Sequence, residues 1–476
     1  MASKRKALFE LPFSIETPRL TDPGLGIQRL VVRGDGTWTR LVTILDAPDH
    51  RLLRAGVMLA HRVRDGLGDY YLDAPTWGPW LPKDHSEPMG AAGDLPEDLT
   101  ELVRPFRRRA ALGPVAAVET DRASYTVKDR EDVSLGTLVD EKMTVRRNGL
   151  TIGRFREVTL TPSPAMSGAQ KRFLIAALTG VGAIQTDEFP DLVRRLGAPA
   201  TGLTDYPEPR AWDSRVNLET FVSQLFAARL QHIVRADLAL RASELARRAA
   251  AAAVDEGLHG EPATPPAPLD CGPLMSELMR LRHQVSSLQS VLEPGWLEQV
   301  EEDLQAVLDA GAERPVSSLS ERYFAVLDAL VSAIRAPQLG DRSREQAAPV
   351  LRDQLQSGMR ILVDRCDNLG AESTDADWLA ALVACRQLLG TVDGLEILFG
   401  KLARKLRKQL RRVQALLEPC QPLADWPTDE ELATWSPTQV FEAGRTLQRA
   451  GDSRDAARVR FVQDWRTLRK KLTALA

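Results

Sequence analysis

Seven basic side chains fall between residues 401 and 412, and no acidic residue interrupts them. They are Lys401, Arg404, Lys405, Arg407, Lys408, Arg411 and Arg412. Guanidinium and ammonium groups bind phosphate and carboxylate oxygens through charge-assisted hydrogen bonds. The segment could therefore bind a polyanion, pair with an acidic segment such as 296–309, or simply face solvent. An exposed helix usually mixes charges of both signs, which favours a polyanion, but cationic faces opposite a leucine seam are common.

The spacing of apolar residues predicts the element that displays these cations. The apolar positions recur at steps of four and three and are Leu402, Leu406, Leu410, Val413 and Leu417. At about 100° per residue they share one narrow arc of a helix. No Gly or Pro interrupts the run, and Pro419 follows it. We therefore predict a helix with one buried seam and one cationic face.

The overall charge of the chain limits its partners. The 476 residues include 62 Lys and Arg against 65 Asp and Glu, which gives a net charge of -3. A general nucleic-acid-binding protein would be clearly basic, so we expect no sequence-specific nucleic-acid partner. The length is sufficient for two or three domains, each with its own core.

Motifs for known cofactors and nucleophiles are absent from the sequence. The four cysteines, at 271, 366, 385 and 420, form no CxxC pair, which favours buried, reduced thiols. The six histidines have no HxxxH or HExxH spacing, and no GxxxxGK[ST], GxSxG or GxGxxG occurs. No apolar stretch is long enough for a signal peptide or a membrane span. We expect a cytoplasmic protein without membrane contact and predict no resident cofactor.

The pattern of the first 160 or so residues is typical of strands. Candidate strands lie at 27–33, 39–45, 122–129, 136–147 and 149–161, and a helix is expected at 95–106. The last three strands follow one another directly, which predicts an antiparallel meander. Many strands at short spacing favour a barrel or a strongly curved sheet.

Helical periodicity takes over from about residue 166. The long amphipathic runs lie at 217–257, 272–291, 295–311, 316–335, 343–369, 374–399, 401–417, 437–450 and 452–474. We therefore predict the α+β class, with an antiparallel β tunnel or barrel and closing helices over 1–199. A Gly- and Pro-rich linker at 200–216 would precede an all-α helical bundle over 217–476, in which 260–270 is a loop.

Several segments resemble proteins that fuse a CYTH domain to a CHAD domain. LDAPDHRLLRAGVMLAHRV (45–63), the stretch 95–127 and FREVTLT (155–161) resemble the CYTH part. LMRLRHQVSSLQSVLEP (278–294) and the stretch 378–417 resemble two related CHAD segments. The resemblance implies a triphosphate tunnel fold followed by a helical bundle associated with inorganic polyphosphate.

The resemblance also implies which tunnel residues would act. Tunnel enzymes of this kind hold divalent metal ions with carboxylates and triphosphate with Arg and Lys. The positions that keep a suitable side chain are Glu10, Arg62, Arg122 and Glu157, and those that depart are Leu8, Pro12, Ala60, Asp73, Glu119, Asp121 and Thr159. Asp73 and Asp121 would repel a triphosphate if they face it, whereas a correspondence shifted by one residue would put them outside the barrel. We therefore expect triphosphatase chemistry to be lost, with Mg or Mn needed only if the tunnel is active.

The helical half departs from its resemblance in the same way. The expected histidines fall at Met275 and Leu379, and expected cations fall at Leu278, Leu382, Val383, Gln387 and Leu389. The cations that remain are Arg280, Arg282, Arg386 and the run from Lys401 to Arg412. They form the predicted polyanion site.

Three functions follow from these patterns, in order of preference. The first is a non-catalytic binding protein for inorganic polyphosphate or another polyanion, with an association with polyphosphate granules. The second is a scaffold that binds a protein partner. The third is a divalent-metal-dependent triphosphatase that uses Glu10, Arg62, Arg122 and Glu157.

Overall fold

The chain divides into two compact units. The computed structural model describes residues 6–64, 66–81, 84–88, 95–209, 215–255, 269–310, 321–370, 372–422 and 434–474. One unit, the β unit, comprises Met1–Pro207 and Arg241–Pro266. The other, the helical unit, comprises Glu208–Leu240 and Ala267–Ala476. An antiparallel sheet thus precedes a helical region, which confirms the predicted α+β class. The predicted loop at 260–270 lies mostly outside the described residues.

The β unit is built on one ten-stranded antiparallel sheet. Its strands are β1 (Ala7–Leu11), β2 (Arg29–Val32), β3 (Trp38–Asp46), β4 (Met58–Arg64), β5 (Leu67–Asp73), β6 (Asp84–Pro88), β7 (Gly113–Lys128), β8 (Ser134–Arg147), β9 (Leu150–Pro162) and β10 (Ile184–Thr186). The order is β10-β1-β9-β8-β7-β3-β4-β5-β6, with β2 also paired to β7. Its helices are α1 (Arg51–Arg54), α2 (Glu97–Leu102), α3 (Arg104–Arg107), α4 (Gly168–Gly180) and α5 (Leu192–Leu196).

The predicted meander is present as β7, β8 and β9. Asn148 and Gly149 join β8 to β9, with Arg147 paired to Leu150. Both turn residues have positive φ, 49° and 78°. A two-residue hairpin of this type needs positive φ twice, and the Asn-Gly pair supplies it at low cost.

Both faces of the sheet carry an apolar cluster. On one face Phe9, Val158 and Leu160 pack with Leu174 and Leu178 of α4. On the opposite face Val42, Ile44, Ala60 and Val118 are part of a cluster with Leu53 of α1 and Leu196 of α5. This second face also carries charged residues, and we call it the charged face. It is defined by Glu10, Arg40, Arg62, Arg64, Arg122, Glu141 and Glu157.

The helical unit consists of long amphipathic helices. They are α6 (Leu218–Asp255, of which Arg241 onward belongs to the β unit), α7 (Gly272–Ser287), α8 (Pro294–Asp309), α9 (Glu321–Arg335), α10 (Ala347–Asp367), α11 (Asp375–Phe399), α12 (Lys401–Leu417) and α13 (Pro437–Thr473). The runs 437–450 and 452–474 were predicted as two helices, but they form the single helix α13. Gly451 does not break it, because one glycine inside a helix costs only about 1 kcal/mol.

The basic helix α12 has the predicted apolar seam. Leu406, Leu410, Val413 and Leu417 are buried. Leu402 is an exception, since it is exposed and Ala403 takes the buried position in the first turn. The predicted helix at 401–417 is therefore confirmed.

The four cysteines lie buried in the helical unit as free thiols. Burial raises the pKa of Cys385 to about 12 and that of Cys420 to about 11. The thiols of Cys385 and Cys420 therefore stay protonated at neutral pH, and the burial of all four cysteines agrees with the prediction. None of the described helices combines the length and the apolar character needed to cross a membrane.

Candidate functional site

Three carboxylates lie side by side on the charged face. Glu10 on β1 is paired with Glu157 on β9, and Glu157 is paired with Glu141 on β8. Residues directly opposite in an antiparallel sheet share a face, with Cβ atoms about 5 Å apart. Burial raises the pKa of Glu157, and the negative charges of Glu141 and Glu10 add to this rise while Arg195 opposes it. Carboxylate oxygens are ligands that divalent cations prefer, so the row is the place to test for a metal site.

An arginine of the same chain occupies this row. Arg195 on α5 donates a hydrogen bond to the Glu157 carboxylate, and its guanidinium lies 3.5 Å from Glu10. The same guanidinium stacks over the Phe155 ring at 4.2 Å from the centroid. The Arg195 side chain is only 5% exposed. Two of the three carboxylates are therefore bound by a buried cation that the fold itself supplies.

Four more arginines lie further along the charged face, each beside an aromatic ring. The guanidinium groups of Arg40, Arg64 and Arg122 lie 4.7, 5.4 and 5.6 Å from the centroid of the Trp38 ring. Arg62 lies 5.0 Å from the Tyr71 ring. Such distances are within the range of cation–π attraction.

Two of these arginines are bound to carboxylates of the sheet. Arg122 donates to Glu141 at 3.3 Å, and the Nε of Arg62 donates to Asp69 at 2.9 Å. Arg40 has no carboxylate partner among the described residues, and burial lowers its pKa. Each of the carboxylates Glu10, Asp69, Glu141 and Glu157 thus has an arginine partner from this chain.

The charged face contains all four tunnel residues that the sequence singled out, namely Glu10, Arg62, Arg122 and Glu157. Their period-two positions in β1, β4, β7 and β9 place them on one side of the sheet. The sequence analysis missed Arg40, Glu141 and Arg195. The alternation along β8 was a usable signal for Glu141, whereas Arg195 reaches the row only through the tertiary placement of α5.

The predicted repulsion at Asp121 is wrong. Asp121 and Glu119 lie on the opposite face from Arg122, because neighbouring strand residues point to opposite sides. Asp121 accepts a hydrogen bond from Thr39 at 2.7 Å, and Glu119 pairs with Arg146 at 2.8 Å. Asp73 does share the side of Tyr71 and Asp69. The charged face is therefore richer in both acids and cations than the sequence indicated.

The residues present do not fit the divalent ion that the resemblance implies. Within the described part of the chain, no three His, Cys, Asp or Glu side chains are grouped to hold a metal ion. Metal ligation would need open oxygen lone pairs, but N–H groups of Arg195 point at the Glu157 carboxylate. No step through a metal ion follows from this arrangement.

In the helical unit a cavity of about 740 Å³ lies between α7, α11 and α12. Arg280, Arg386 and Arg411 line it, so three of the predicted polyanion residues converge from three different helices. Its other lining residues are Gly272, Met275, Ser276, Met279, His283, Leu389, Gly390, Asp393 and Gln414. Arg282 is not among them. Leu278 and Leu382, expected near the site, are buried in the core instead.

The three cavity arginines differ in their partners. Arg280 pairs with Glu277 at 2.5 Å, and this carboxylate also accepts a hydrogen bond from Arg229. Arg386 lies 3.4 Å from Glu418. Arg411 is exposed and has no acidic partner in the described part of the chain. Arg411 is therefore the cation most available to a ligand.

The acidic residue in the cavity wall is already neutralised. Asp393 pairs with Arg407 at 2.8 Å, and Arg407 also pairs with Glu396 at 2.5 Å. Arg404 lies 3.7 Å from Glu396. The helix α12 thus uses two of its seven cations to bind α11.

Apart from Arg411, the remaining cations of α12 face outward. Arg412 donates to Gln409 at 3.3 Å, and Lys401, Lys405 and Lys408 are exposed without an acidic partner among the described residues. The acidic segment 296–309 pairs instead with Arg322 of α9, at 2.9 and 3.1 Å. An internal pairing between that segment and α12 is absent from the described residues.

His283 lies in the cavity wall beside these cations. Burial lowers its pKa to about 4, and the positive charges of Arg386 and Arg282 contribute. The imidazole is therefore neutral at neutral pH. A bound anion would favour its protonated form, since an opposite charge nearby raises the pKa of a histidine.

No family model and no curated protein matches the sequence. Among solved structures, a candidate adenylate cyclase from Bacillus halodurans is similar over 35% of this chain and 86% of its own length. The two are 11% identical with a TM-score of 0.22.

Proposed function

We propose that this chain is a CYTH- and CHAD-like protein that binds inorganic polyphosphate, or a polyanion of similar charge density, without catalysis. The binding site is the cavity between α7, α11 and α12. The observation that carries the proposal is the convergence of Arg280, Arg386 and Arg411 on this cavity. Association with polyphosphate granules would follow from such binding.

The charges around the cavity support a chain-like anion rather than a single small one. Arg411 and His283 lie in the cavity, whereas Lys405 and Lys408 present ammonium groups on the exposed side of the same helix. Arginine binds phosphate oxygens bidentately, and lysine acts as a point charge that follows a flexible chain. A polyphosphate anchored at Arg411 could therefore continue along α12.

The test is polyphosphate affinity measured by calorimetry on the full-length chain. Arg411→Ala should weaken binding at least about tenfold, because Arg411 has no competing acid and a charge-assisted contact contributes roughly 1.5–3 kcal/mol. Arg412→Ala is the matched control, since Arg412 is also exposed but does not line the cavity. Equal losses in both variants would assign binding to the general charge of α12 and refute the cavity site.

The salt dependence provides a second test of the same proposal. Each neutralised phosphate releases counterions, so the logarithm of affinity should fall linearly with the logarithm of salt concentration. Arg411→Ala should reduce this slope by roughly one. Absence of polyphosphate binding by the wild-type chain at low salt would end the proposal.

A metal-dependent triphosphatase is the second candidate, because Glu10, Glu141 and Glu157 lie in register on one face with Arg62 and Arg122. It predicts phosphate release from triphosphate in the presence of Mg or Mn, lost in Glu157→Ala. The contact of Arg195 with Glu157 argues against it. Absence of turnover in the wild-type chain would remove this candidate.

A further inference from the structure

We infer that Arg195 is a resident counter-cation that holds the carboxylates of Glu10 and Glu157 in place of a divalent metal ion. The β unit would then keep its acidic row without any metal, and substitution of one arginine would open the row to divalent cations. The inference concerns the β unit and does not depend on polyphosphate binding by the helical unit.

The first support is the position of the Arg195 guanidinium within the row. It contacts Glu157 and lies 3.5 Å from Glu10, while Glu141, the third member, is bound by Arg122 at 3.3 Å. Every carboxylate of the row therefore already has a cationic hydrogen-bond donor. A divalent ion would have to displace Arg195 before it reached the Glu157 oxygens.

The second support is that local sequence and packing fix Arg195 in this position. Asp191 caps α5 by accepting a hydrogen bond from the Arg194 backbone N–H at 2.7 Å, and Gly197 ends the helix with a φ of 67°. Leu196 is buried in the apolar cluster of the charged face. With Phe155 beneath its guanidinium, Arg195 is held by the helix cap, the core and the ring together.

A comparison with the neighbouring Arg194 shows that burial is specific to Arg195. Arg194 is on the same helix, but its side chain is 67% exposed and its acidic neighbours, Glu188 and Asp191, are exposed as well. Arg195 is 5% exposed. The two adjacent arginines therefore provide a matched pair for substitution.

Removal of the Arg195 charge would leave Glu10 and Glu157 facing each other without a cation. Burial raises the pKa of Glu157 and the charge of Arg195 opposes that rise, so loss of Arg195 would raise this pKa further. A divalent cation bound by the carboxylate oxygens of the row would again balance the negative charges of Glu10 and Glu157. Arg195→Gln is the suitable change, because it removes the charge and keeps an apolar stem next to Phe155.

The experiment is a Mn²⁺ titration of the full-length chain by electron paramagnetic resonance, with thermal unfolding measured in parallel. Arg195→Gln should bind Mn²⁺ at least about tenfold more tightly than wild type, with a Tm that rises on Mn²⁺ addition. Arg194→Gln should behave like wild type in both measurements. The double variant Arg195→Gln with Glu157→Gln should lose the gained site.

Two results would overturn the inference. One is Mn²⁺ binding by wild type as tight as that of Arg195→Gln, since Arg195 would then not exclude the ion. The other is an Arg195→Gln protein that neither binds Mn²⁺ nor gains thermal stability from it. If Arg195→Gln fails to fold without metal, refolding with and without Mn²⁺ decides the matter, and Mn²⁺ must restore the folded chain.

Discussion

Acidification should destabilise this protein through His283. Its pKa in the folded chain is lowered from 6.5 to about 4 by burial, Arg386 and Arg282. The groups facing it across the cavity are Arg386 on α11 and Arg411 on α12, with Asp393 bound by Arg407. Between these two pKa values the unfolded chain binds a proton that the folded chain does not. Stability must therefore fall as pH falls through this window.

The size of the effect follows from the shift. One pKa unit corresponds to about 1.4 kcal/mol, so the whole shift lowers the free energy of unfolding by roughly 3 kcal/mol. Roughly 2 kcal/mol of this loss has occurred by about pH 5. The test is chemical denaturation at about pH 7 and about pH 5 of wild type and His283→Gln. The other histidines titrate equally in both proteins, so the difference between the two losses isolates His283. Equal losses of unfolding free energy would refute this reasoning.

The same site predicts a pH dependence of ligand binding. A polyanion in the cavity favours protonated His283, so binding should take up a proton and strengthen as pH falls toward about pH 5. Calorimetry in buffers of different ionisation enthalpy measures that proton directly. The proton uptake should be absent in His283→Gln.

Three further changes probe the fold. Arg156→Met should cost about 3–5 kcal/mol in denaturation, because it leaves the buried carboxylate of Asp140 without its partner at 2.6 Å. Gly149→Ala should cost about 1–3 kcal/mol by the same measurement, because Gly149 has a φ of 78° in the β8–β9 turn. Gly451→Ala should raise stability by about 1 kcal/mol, since Gly451 lies inside the continuous helix α13.

Local patterns predicted the elements well where one physical rule dominates. The succession of strand patterns at 136–147 and 149–161 indicated the β8–β9 hairpin, and the leucine spacing indicated α12 with its buried seam. The period of two along each strand also brings Glu10 and Glu157 to one face. Asp121 and Arg122 are neighbours in β7 and cannot share a face, so the structure agrees with the alternative in which Asp121 lies outside.

Local sequence patterns could not predict the tertiary contacts that form either site. Arg195 meets Glu157 across 38 positions of sequence, and nothing in the spacing of α5 indicates that contact. The cavity similarly needs Arg280, Arg386 and Arg411 from three separate helices. The sequence identified those cations, but their convergence depends on the packing of α11 against both α7 and α12.

The two units differ in how their cations are compensated, and this difference supports the proposed binding site. On the charged face of the β unit, Arg122, Arg195 and Arg62 each bind a carboxylate of the same unit. In the helical unit, Arg404 and Arg407 of α12 form ion pairs with carboxylates of α11. Arg411 and Lys408 of the same helix have no acidic partner among the described residues. Compensated charges hold a fold together, whereas uncompensated ones attract counter-ions. A polyanion should therefore bind at α12, and charge reversal at Arg411 and Lys408 should abolish its binding while the same change at Arg62 leaves it intact.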